Sequence, residues 1–524
     1  MNFKGALFIL GCSISFTLFF LPFIVVEKRD PGSTQYGFPA NPFGDYYHYT
    51  YFLKSGTQGR LNFENVYTDT YQPIQFLEPH YNLFGLLSIP FGRTPGELFF
   101  LLRLLIIPFS MYVFVQLIDR TIEQKYGKLL ALIVVLFSTS FWWFGTNEPE
   151  LWSNMFNIFR RSATLPPHYW MTICIYIFMF FHLSHPEKTV KKFVITAFLS
   201  VNVAIMHPYL AFFLFVMITT EAAIRSLIAR KIPWTLVHHI MLSGAAIAPV
   251  LLYYQMMLSV YWQSRALTMV ATPRIFSIWT YALAVGPLLI GSILSLVFIK
   301  QLNTPLRRYL YVWLIVPFLL FFLPDFHIPM SPFRLFQTFQ QIPAAILATL
   351  FVVTLFQKAH RFVQHGIALG VGILVIVYAI PSYRAHFMVF TDSSQPYFHH
   401  RTTIDRMRPV FTYLKDHAPA YAVVVAPDSV SSMIPSYTST NVLIGQEGCN
   451  PHWYENKPII DSLYGQNLTD EGIKNFLKEK NVSYIVFGVE TVAFDQTRYP
   501  QSEYLKEVFK SESISVVSVD KSKL

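Results

Sequence analysis

The sequence predicts an α-helical polytopic membrane protein of about eleven transmembrane helices, with a long first outer loop and a small C-terminal α/β extracytoplasmic domain. Of its 524 residues, 53% are hydrophobic, 17% aromatic and only 13% charged, which leaves too little polar surface for a soluble globule. Residues 1–381 contain 26 Lys and Arg against 14 Asp and Glu, whereas residues 382–524 contain 14 against 16. A basic membrane part is therefore followed by a nearly neutral soluble part.

Eleven apolar runs are long enough to cross a hydrocarbon core about 30 Å thick. They lie near residues 6–26, 97–118, 129–145, 168–184, 192–206, 209–225, 236–257, 276–299, 309–323, 336–357 and 364–381. The first run follows the short segment MNFK and lacks a small-residue cleavage site, so we expect an uncleaved helix. The apolar stretch at 81–92 is too short to cross, and Pro90 and Gly92 interrupt it. We expect it to lie along the membrane surface or to re-enter.

Lys and Arg concentrate in alternate loops of this pattern. The loops on the side of Lys4 carry most of them, and the positive-inside rule makes that side cytoplasmic. An odd number of spans then places the C-terminal residues on the outer side. We therefore predict a transmembrane domain at 1–381, with its first outer loop at about 27–96, and an extracytoplasmic domain at 382–524. The simple loops and the absence of an organelle signal favour a bacterial plasma membrane.

The C-terminal residues alternate between helical and extended patterns. RTTIDRMRPVFTYLKDH reads as an amphipathic helix, TDEGIKNFLKEK as a helix opened by Thr469 or Asp470, and YAVVVA, SYIVFGV and SISVVSV as strands. This alternation predicts a small α/β domain. Because GxGxxG, Walker and GxSxG motifs are absent, nucleotide binding and serine hydrolysis have no support there.

The first outer loop contains the densest cluster of polar and aromatic residues. In GDYYHYTY, Asp45 follows a glycine turn and precedes Tyr47 and His48 on a predicted interfacial helix. A partly desolvated carboxylate is a stronger base, and aromatic rings stack on sugars, so this segment suits a site that deprotonates a sugar hydroxyl. The structural alternative is an N-cap aspartate followed by an interfacial aromatic belt, which is a common arrangement.

Further polar residues are predicted at the same face of the membrane. Glu78 and His80 directly precede the short apolar stretch and supply a second acid and an imidazole. Other outer loops contribute Glu148, Glu150, Arg160, His207 and Arg334. Arg334 precedes an apolar span, where a guanidinium can bind phosphate oxygens; snorkelling towards lipid headgroups is the alternative.

The sequence gives less support to metal binding and to nucleic-acid binding. No His or acid spacing matches a known metal-ligand motif, so a divalent metal is possible but unsupported. Cys12, Cys174 and Cys449 are too far apart for a disulfide framework or a CxxC site. The basic residues sit in short loops without an aromatic-interleaved patch, which argues against nucleic acid.

The long first loop with its acid, the many spans and the outer C-terminal domain together resemble the C-type glycosyltransferase superfamily. The resemblance is carried by GDYYHY around Asp45, by EPHY, and by HIPMSPFRLFQTFQQIPAAIL, similar to a late arginine-containing loop. It implies transfer of a hexosyl or pentosyl group from a polyprenyl-phosphate donor to a glycan, lipid or protein acceptor at the outer face, usually with inversion. Asp45 would be the general base or would orient the acceptor, and Arg334 would neutralise the lipid phosphate; Glu78 and Glu148 are rival bases.

A transporter or flippase of a lipid-linked or polar substrate is the alternative from another functional class. It predicts ionisable residues at span centres and broken helices in paired positions. The sequence has few charges at span centres, and its polar residues cluster at one face. An interfacial active site therefore fits the pattern better.

Overall fold

The computed structural model is mainly helical. It describes residues 2–29, 43–62, 64–69, 76, 78–139, 166–260, 278–298, 304–320, 339–391, 396–445, 450, 452–465, 467–488, 503–512 and 514–524. The chain divides into two compact units. One, the helical unit, comprises Met1–Pro31, Leu101–Gln255 and Met269–Val389, and the other, the mixed unit, comprises Gly32–Phe100, Met256–Thr268 and Phe390–Leu524.

The first half of the chain contains nine described helices. They are α1 (Phe3–Arg29), α2 (Phe43–Thr57), α3 (Pro79–Leu87), α4 (Pro95–Thr121), α5 (Lys125–Phe137), α6 (Pro167–Ser184), α7 (Val190–Met206), α8 (Pro208–Ala229) and α9 (Trp234–Val260). A 3-10 turn, Ile89–Phe91, follows α3. Several of these helices begin at proline, which loses no intrahelical hydrogen bond at the first helical position and has its φ angle preset for the helix.

The remaining helices of the helical unit are α10 (Ile278–Val285), α11 (Pro287–Leu294), α12 (Pro305–Leu320), α13 (Gln341–Leu355) and α14 (Arg361–Thr391). The predicted span at 276–299 is broken at Gly286, whose φ of 82° is left-handed and suits glycine. Each of the eleven predicted runs contains helix in its described part. The chain is thus a polytopic membrane protein, and the count of eleven spans stays a prediction.

Five described helices are long and apolar enough to cross a membrane. They are Phe3–Ile24, Pro95–Thr121, Pro208–Ala229, Trp234–Met257 and Arg361–Arg384. Two shorter apolar helices are Pro287–Val297 and Gln341–Leu355. Inside the unit, fully buried Glu221 on α8 accepts hydrogen bonds from Arg225 and from Arg308 on α12, at 3.0 Å each. A buried carboxylate is tolerated there because it is paired.

The C-terminal part of the mixed unit is built on a five-stranded sheet. Its helices are α15 (Pro396–His417), α16 (Asp428–Ser431), α17 (Ile434–Tyr437), α18 (Trp453–Tyr464) and α19 (Asp470–Glu479). Its strands are β1 (Val423–Val425), β2 (Asn441–Val442), β3 (Val482–Phe487), β4 (Leu505–Ser511) and β5 (Ile514–Val519), in the order β2-β1-β3-β5-β4. The first three pair in parallel, and β5 pairs antiparallel with β3 and β4.

The predicted α/β pattern of the C-terminal residues is present in this unit. Thr469 caps α19 by accepting a hydrogen bond from the Gly472 N–H, as an N-cap threonine does. The sequence pattern missed β4, whose alternation is broken by a bulge between Glu507 and Phe509. It also missed α18, which carries Pro458 inside the helix.

Residues of the predicted first outer loop pack against the C-terminal residues in the mixed unit. The Val442 N–H donates to Val66 O at 2.8 Å, and Asn441 Nδ2 donates to Thr68 O, so the loop lies along the β2 edge of the sheet. Thr50 on α2 bonds to Ser436 on α17. The predicted boundary after residue 381 stays a prediction, but residues 32–100 belong to the same compact unit as the C-terminal residues.

Candidate active site

Two helices of the predicted first outer loop, α2 and α3, pack closely and, together with the N-cap residue of α3, carry five of the predicted site residues. Glycines permit the approach: a Cβ added at Gly56 would overlap Asn82 O, and one at Gly85 would overlap Leu53 O. Tyr49 on α2 stacks on Tyr81 of α3 with ring centroids 4.9 Å apart. The start of α3 is therefore held firmly against α2.

Helix α2 is buried on all sides rather than lying in an interface with one exposed face, which corrects the interfacial helix that the sequence predicts. Every residue from Tyr46 to Leu53 is buried. Tyr47 contacts Tyr46 edge to face at 5.1 Å, and the His48 ring lies 4.4 Å from Phe52. Both rings therefore take part in packing, and their predicted substrate-binding role stays a prediction.

Glu78 occupies the N-cap position of α3 with a left-handed backbone, at φ 46° and ψ 48°. This conformation is unfavourable for a residue with a Cβ, and the following Pro79 restricts it further. The side chain is buried, with 6% of its surface exposed. Strained non-glycine residues of this kind cluster at functional sites, since the surrounding structure must hold them in place.

His80 lies in the first turn of α3, next to Glu78. A carboxylate oxygen of Glu78 and a ring nitrogen of His80 are within 4.8 Å of each other. Both ring nitrogens of His80 are shielded from solvent, and burial lowers the pKa of His80 to about 3. The imidazole is therefore neutral at physiological pH, and the two residues form a shielded carboxylate–imidazole pair.

The pair also offers two metal-ligand atoms, a carboxylate oxygen and an imidazole nitrogen. Such groups bind Zn²⁺ and other transition metals.

His207 belongs to the helical unit, in the tight turn between α7 and α8. Its ring lies 4.5 Å from that of His168 and 4.4 Å from that of Tyr169, both at the start of α6. Sequence reasoning missed His168, although a signal exists: Pro167-His168-Tyr169 repeats the Pro-His-Tyr order found at the start of α3.

Several predicted site residues lie outside the described part of the chain. They are Glu148, Glu150, Arg160 and Arg334. Asp45 lies in the first turn of α2, but its side chain is also outside the described part. Of the predicted site residues, the structure thus brings Glu78 and His80 together in the mixed unit and places His207 in the helical unit.

Solved structures with a similar fold were found at low sequence identity. The Archaeoglobus fulgidus oligosaccharyltransferase in the apo form aligns with a TM-score of 0.57 at 12% identity, over 93% of this chain and 70% of that chain. The archaeal oligosaccharyltransferase AglB from Archaeoglobus fulgidus, in complex with an inhibitory peptide and a dolichol-phosphate, aligns with a TM-score of 0.55 at 13% identity, over 92% and 69%.

ArnT from Cupriavidus metallidurans in the apo state aligns with a TM-score of 0.51 at 12% identity, over 98% of both chains. AglB and ArnT are C-type glycosyltransferases. This chain has the C-type glycosyltransferase fold. The C-type fold matches the resemblance noted from the sequence, and it extends over nearly the whole chain. No protein-family profile and no curated protein matches the sequence.

Proposed function

We propose that this protein is a membrane glycosyltransferase that moves a sugar from a polyprenyl-phosphate donor to an acceptor at the outer face of the membrane. The observation that carries the proposal is the shielded pair of Glu78 and His80, held at the start of α3 in a chain of the C-type fold. General acid–base chemistry requires a carboxylate or imidazole within reach of the reacting proton, and this pair supplies both.

In the proposed reaction Glu78 acts as the general base. Its carboxylate accepts the proton of an acceptor hydroxyl as the acceptor oxygen attacks the anomeric carbon of the sugar. The bond between that carbon and the phosphate oxygen breaks, and the lipid phosphate leaves with the electron pair. Attack from the face opposite the phosphate inverts the anomeric configuration. Asp45, the base that the resemblance implies, and Glu148 are the rival bases, and Arg334 is proposed to neutralise the leaving phosphate.

His80 is proposed to orient the reactants rather than to transfer the proton. A group with a pKa of about 3 is a weak base, and its protonated form is scarce at neutral pH. A neutral imidazole still donates through one ring nitrogen and accepts through the other. It can therefore hold the Glu78 carboxylate or the acceptor hydroxyl in a fixed orientation.

The nature of the substrates is proposed from the fold and the sequence. AglB has been solved in complex with a dolichol-phosphate, which supports a polyprenyl-phosphate donor here. The transferred group would be a hexose or pentose, and the acceptor a glycan, lipid or protein. We place the reaction in a bacterial plasma membrane, with the N-terminus cytoplasmic and the C-terminal domain outside, in accord with the positive-inside pattern.

The proposal is tested with purified protein in nanodiscs supplied with candidate acceptors and a panel of undecaprenyl-phosphate sugars that are radiolabelled in the sugar. Movement of the label from the lipid phosphate to an acceptor measures transfer. Glu78→Gln is expected to lower the rate by about 10²–10⁴-fold, as loss of a general base does. Glu512→Gln, at an exposed left-handed residue next to β4, is the matched control and should keep full activity.

Two results would contradict the proposal. Full activity in Glu78→Gln would exclude that carboxylate as the base, and Asp45→Asn would be measured next. Movement of labelled lipid across the bilayer of a liposome without any new glycosidic bond would instead support a transporter or flippase.

A further inference from the structure

Two neighbouring glutamines, Gln340 and Gln341, are buried at the start of α13 in the helical unit. They expose 0% and 2% of their surfaces. Gln340 occupies the N-cap position, but its carboxamide makes no capping hydrogen bond. Gln341 Nε2 donates to Ala284 O at 3.5 Å. Among the described residues, the other three polar side-chain atoms, Gln340 Oε1, Gln340 Nε2 and Gln341 Oε1, have no hydrogen-bond partner.

Unpaired carboxamide atoms of this kind are costly inside a protein. A buried amide loses its hydrogen bonds to water, and without a new partner it gains nothing in return. A methionine or leucine would fill a similar volume at position 340 without that cost. Fully shielded and unpaired polar atoms are therefore expected where a bound polar group completes their hydrogen bonds.

The backbone directly before the two glutamines is strained. Phe339 has a φ of 56°, in the left-handed region that a bulky residue rarely adopts. Its carbonyl oxygen accepts from the Ile342 N–H at 3.1 Å, and its ring meets the Tyr169 ring edge to face at 5.9 Å. Non-glycine residues in such conformations cluster at active sites and ligand-binding sites, where the surrounding structure holds them in place. The strained turn therefore fixes the position of Gln340.

The start of α13 adjoins the histidine cluster of the helical unit. The Tyr169 ring, which Phe339 contacts, lies 4.4 Å from the ring of His207, a substrate-binding candidate from the sequence. In the sequence, Gln340 follows Arg334, the proposed ligand of the lipid phosphate, by six residues. The glutamines thus belong to the same compact unit as both of these residues.

The unpaired atoms define the chemistry of the ligand. A carboxamide oxygen accepts hydrogen bonds and its nitrogen donates them. Phosphate oxygens are acceptors, so a phosphate group would satisfy the nitrogen and leave both oxygens unpaired. A hydroxyl group both donates and accepts, and neighbouring hydroxyls of a sugar can therefore satisfy all three atoms. Exchanging the oxygen and nitrogen of Gln340 does not alter this conclusion, because both atoms are unpaired.

We infer that Gln340 and Gln341 bind hydroxyl groups of the sugar on the lipid-linked donor and thereby select which sugar is transferred. The inference rests on the proposed function and adds to it the contact that recognises the sugar. Of the two substrates, the donor is the source of these hydroxyls, because the glutamines begin an apolar helix of the helical unit and a lipid carrier brings its sugar to the membrane. A site built on buried amides rejects a sugar that lacks the matching hydroxyl, since the amides are then left unpaired.

The experiment measures equilibrium binding to the full chain in nanodiscs and requires no turnover. A panel of radiolabelled undecaprenyl-phosphate sugars, and undecaprenyl phosphate without a sugar, are bound to the natural chain, to Gln340→Met and to Gln357→Met. Gln357 is an exposed glutamine just beyond the other end of α13 and gives the matched control. We expect Gln340→Met to lower the affinity for the preferred sugar-carrying donor by about 10–100-fold, as loss of buried hydrogen bonds does. Its affinity for undecaprenyl phosphate should be unchanged.

Donors that lack single hydroxyl groups identify the contact. A deoxy sugar that binds the natural chain about tenfold more weakly should lose nothing further in Gln340→Met, because the missing hydroxyl and the missing amide are partners. Without ligand, Gln340→Met should melt no lower than the natural chain, since the substitution removes buried unpaired atoms. Gln340→Leu is the second variant should Gln340→Met fail to fold.

Three results would overturn the inference. Equal donor affinity in the natural chain and Gln340→Met would mean that water satisfies the carboxamides. Unchanged donor affinity with a raised KM for the acceptor would assign the hydroxyls to the acceptor. A lower melting temperature with equal losses of affinity for the donor and for undecaprenyl phosphate would give Gln340 a role in the fold alone.

The proposed function fails in a different way. A natural chain that binds the sugar-carrying donors no better than undecaprenyl phosphate and transfers no label would contradict the transferase itself, and the inference with it. A natural chain that transfers the sugar, together with a Gln340→Met protein that binds the donor equally well, would contradict the inference alone.

Discussion

Glu78 combines a strained backbone with a buried carboxylate. Because the two features affect stability and activity differently, a single substitution can separate the catalytic role of Glu78 from its effect on stability. Replacing it with glycine removes both the Cβ that opposes a φ of 46° and the carboxylate. We expect Glu78→Gly to raise the free energy of unfolding by about 1 kcal/mol, since left-handed geometry costs a non-glycine residue about that much. Transfer activity should fall as far as in Glu78→Gln.

Thermal denaturation in detergent and the nanodisc transfer assay check this expectation together. Glu512→Gly is the matched control, because Glu512 has a φ of 50° in an exposed turn between β4 and β5. It should gain the same stability and keep its activity. A Glu78→Gly protein as active as the natural chain would show that the Glu78 carboxylate has no role in the reaction.

We expect Lys54 to make the free energy of unfolding of the mixed unit depend on pH above neutrality. Its ammonium donates to the carbonyl oxygens of Pro435 and Thr438, while burial lowers the pKa of Lys54 from 10.5 to about 8, with Lys415 adding to the shift. Between these pH values the unfolded chain binds more protons than the folded one. The free energy of unfolding attributable to Lys54 therefore rises from pH 8 to pH 10.5, by at most about 3 kcal/mol.

Melting temperatures measured at pH 8, 9 and 10 test this dependence. Lys54→Met should lose the part of the pH slope that belongs to Lys54, and it should also melt lower overall because two carbonyl oxygens lose their donor. Lys457→Met, at a surface lysine paired with Asp461, should keep the slope of the natural chain. An unchanged slope in Lys54→Met would assign the pH dependence to other groups.

At the scale of elements, the crossing of α2 and α3 depends on glycine at the contact. Because a Cβ at Gly85 would overlap the Leu53 carbonyl oxygen, Gly85→Ala must push the two helices apart. We expect a destabilisation of about 1–3 kcal/mol, as overpacking typically causes, and a loss of activity through displacement of Glu78 and His80.

Gly366→Ala on α14 is the control for this prediction, since nothing lies within 4 Å of a Cβ added there. It should be neutral or slightly stabilising, because alanine favours helix over glycine by roughly 1 kcal/mol. Denaturation midpoints of the two variants give the comparison. A Gly85→Ala protein as stable as Gly366→Ala would mean that α3 can shift without cost.

At the scale of the whole chain, the predicted first outer loop depends on residues almost 400 positions away. Thr50 bonds to Ser436 and Val66 to Val442, so a chain truncated after Val389 would deprive α2 and the following segment of the part of their cover that the C-terminal residues supply. We expect limited trypsin digestion to cut this truncated chain rapidly after Lys54 and Arg60. Cleavage after Lys231, in a loop of the helical unit, should proceed equally in both chains and serves as the reference. Equal protection at Lys54 would show that the loop folds without the C-terminal residues.

Most of the helices were predictable from sequence, and so were the main C-terminal elements. Apolar run length is sufficient for the spans because a segment in hydrocarbon must be mainly apolar and must satisfy its backbone hydrogen bonds within a helix, which leaves a local pattern in the chain. The proline at the start of α3 and the capping of α19 by Thr469 are likewise local. The acid and imidazole of the site were found because Glu78 and His80 are separated by one residue.

The tertiary structure alone decided which faces these elements use. Nothing in GDYYHYTY distinguishes an interfacial helix from one buried on all sides, because the residues that cover α2 come from α3 and α17, distant in sequence. The left-handed backbone of Glu78 could not be predicted either, because the sequence has no glycine at that position. The amino-acid composition and the spacing of apolar residues were by themselves enough to determine a polytopic helical protein with a C-terminal α/β part. Contacts between residues far apart in the chain decided how the first loop packs, because such contacts leave no periodic trace in either segment.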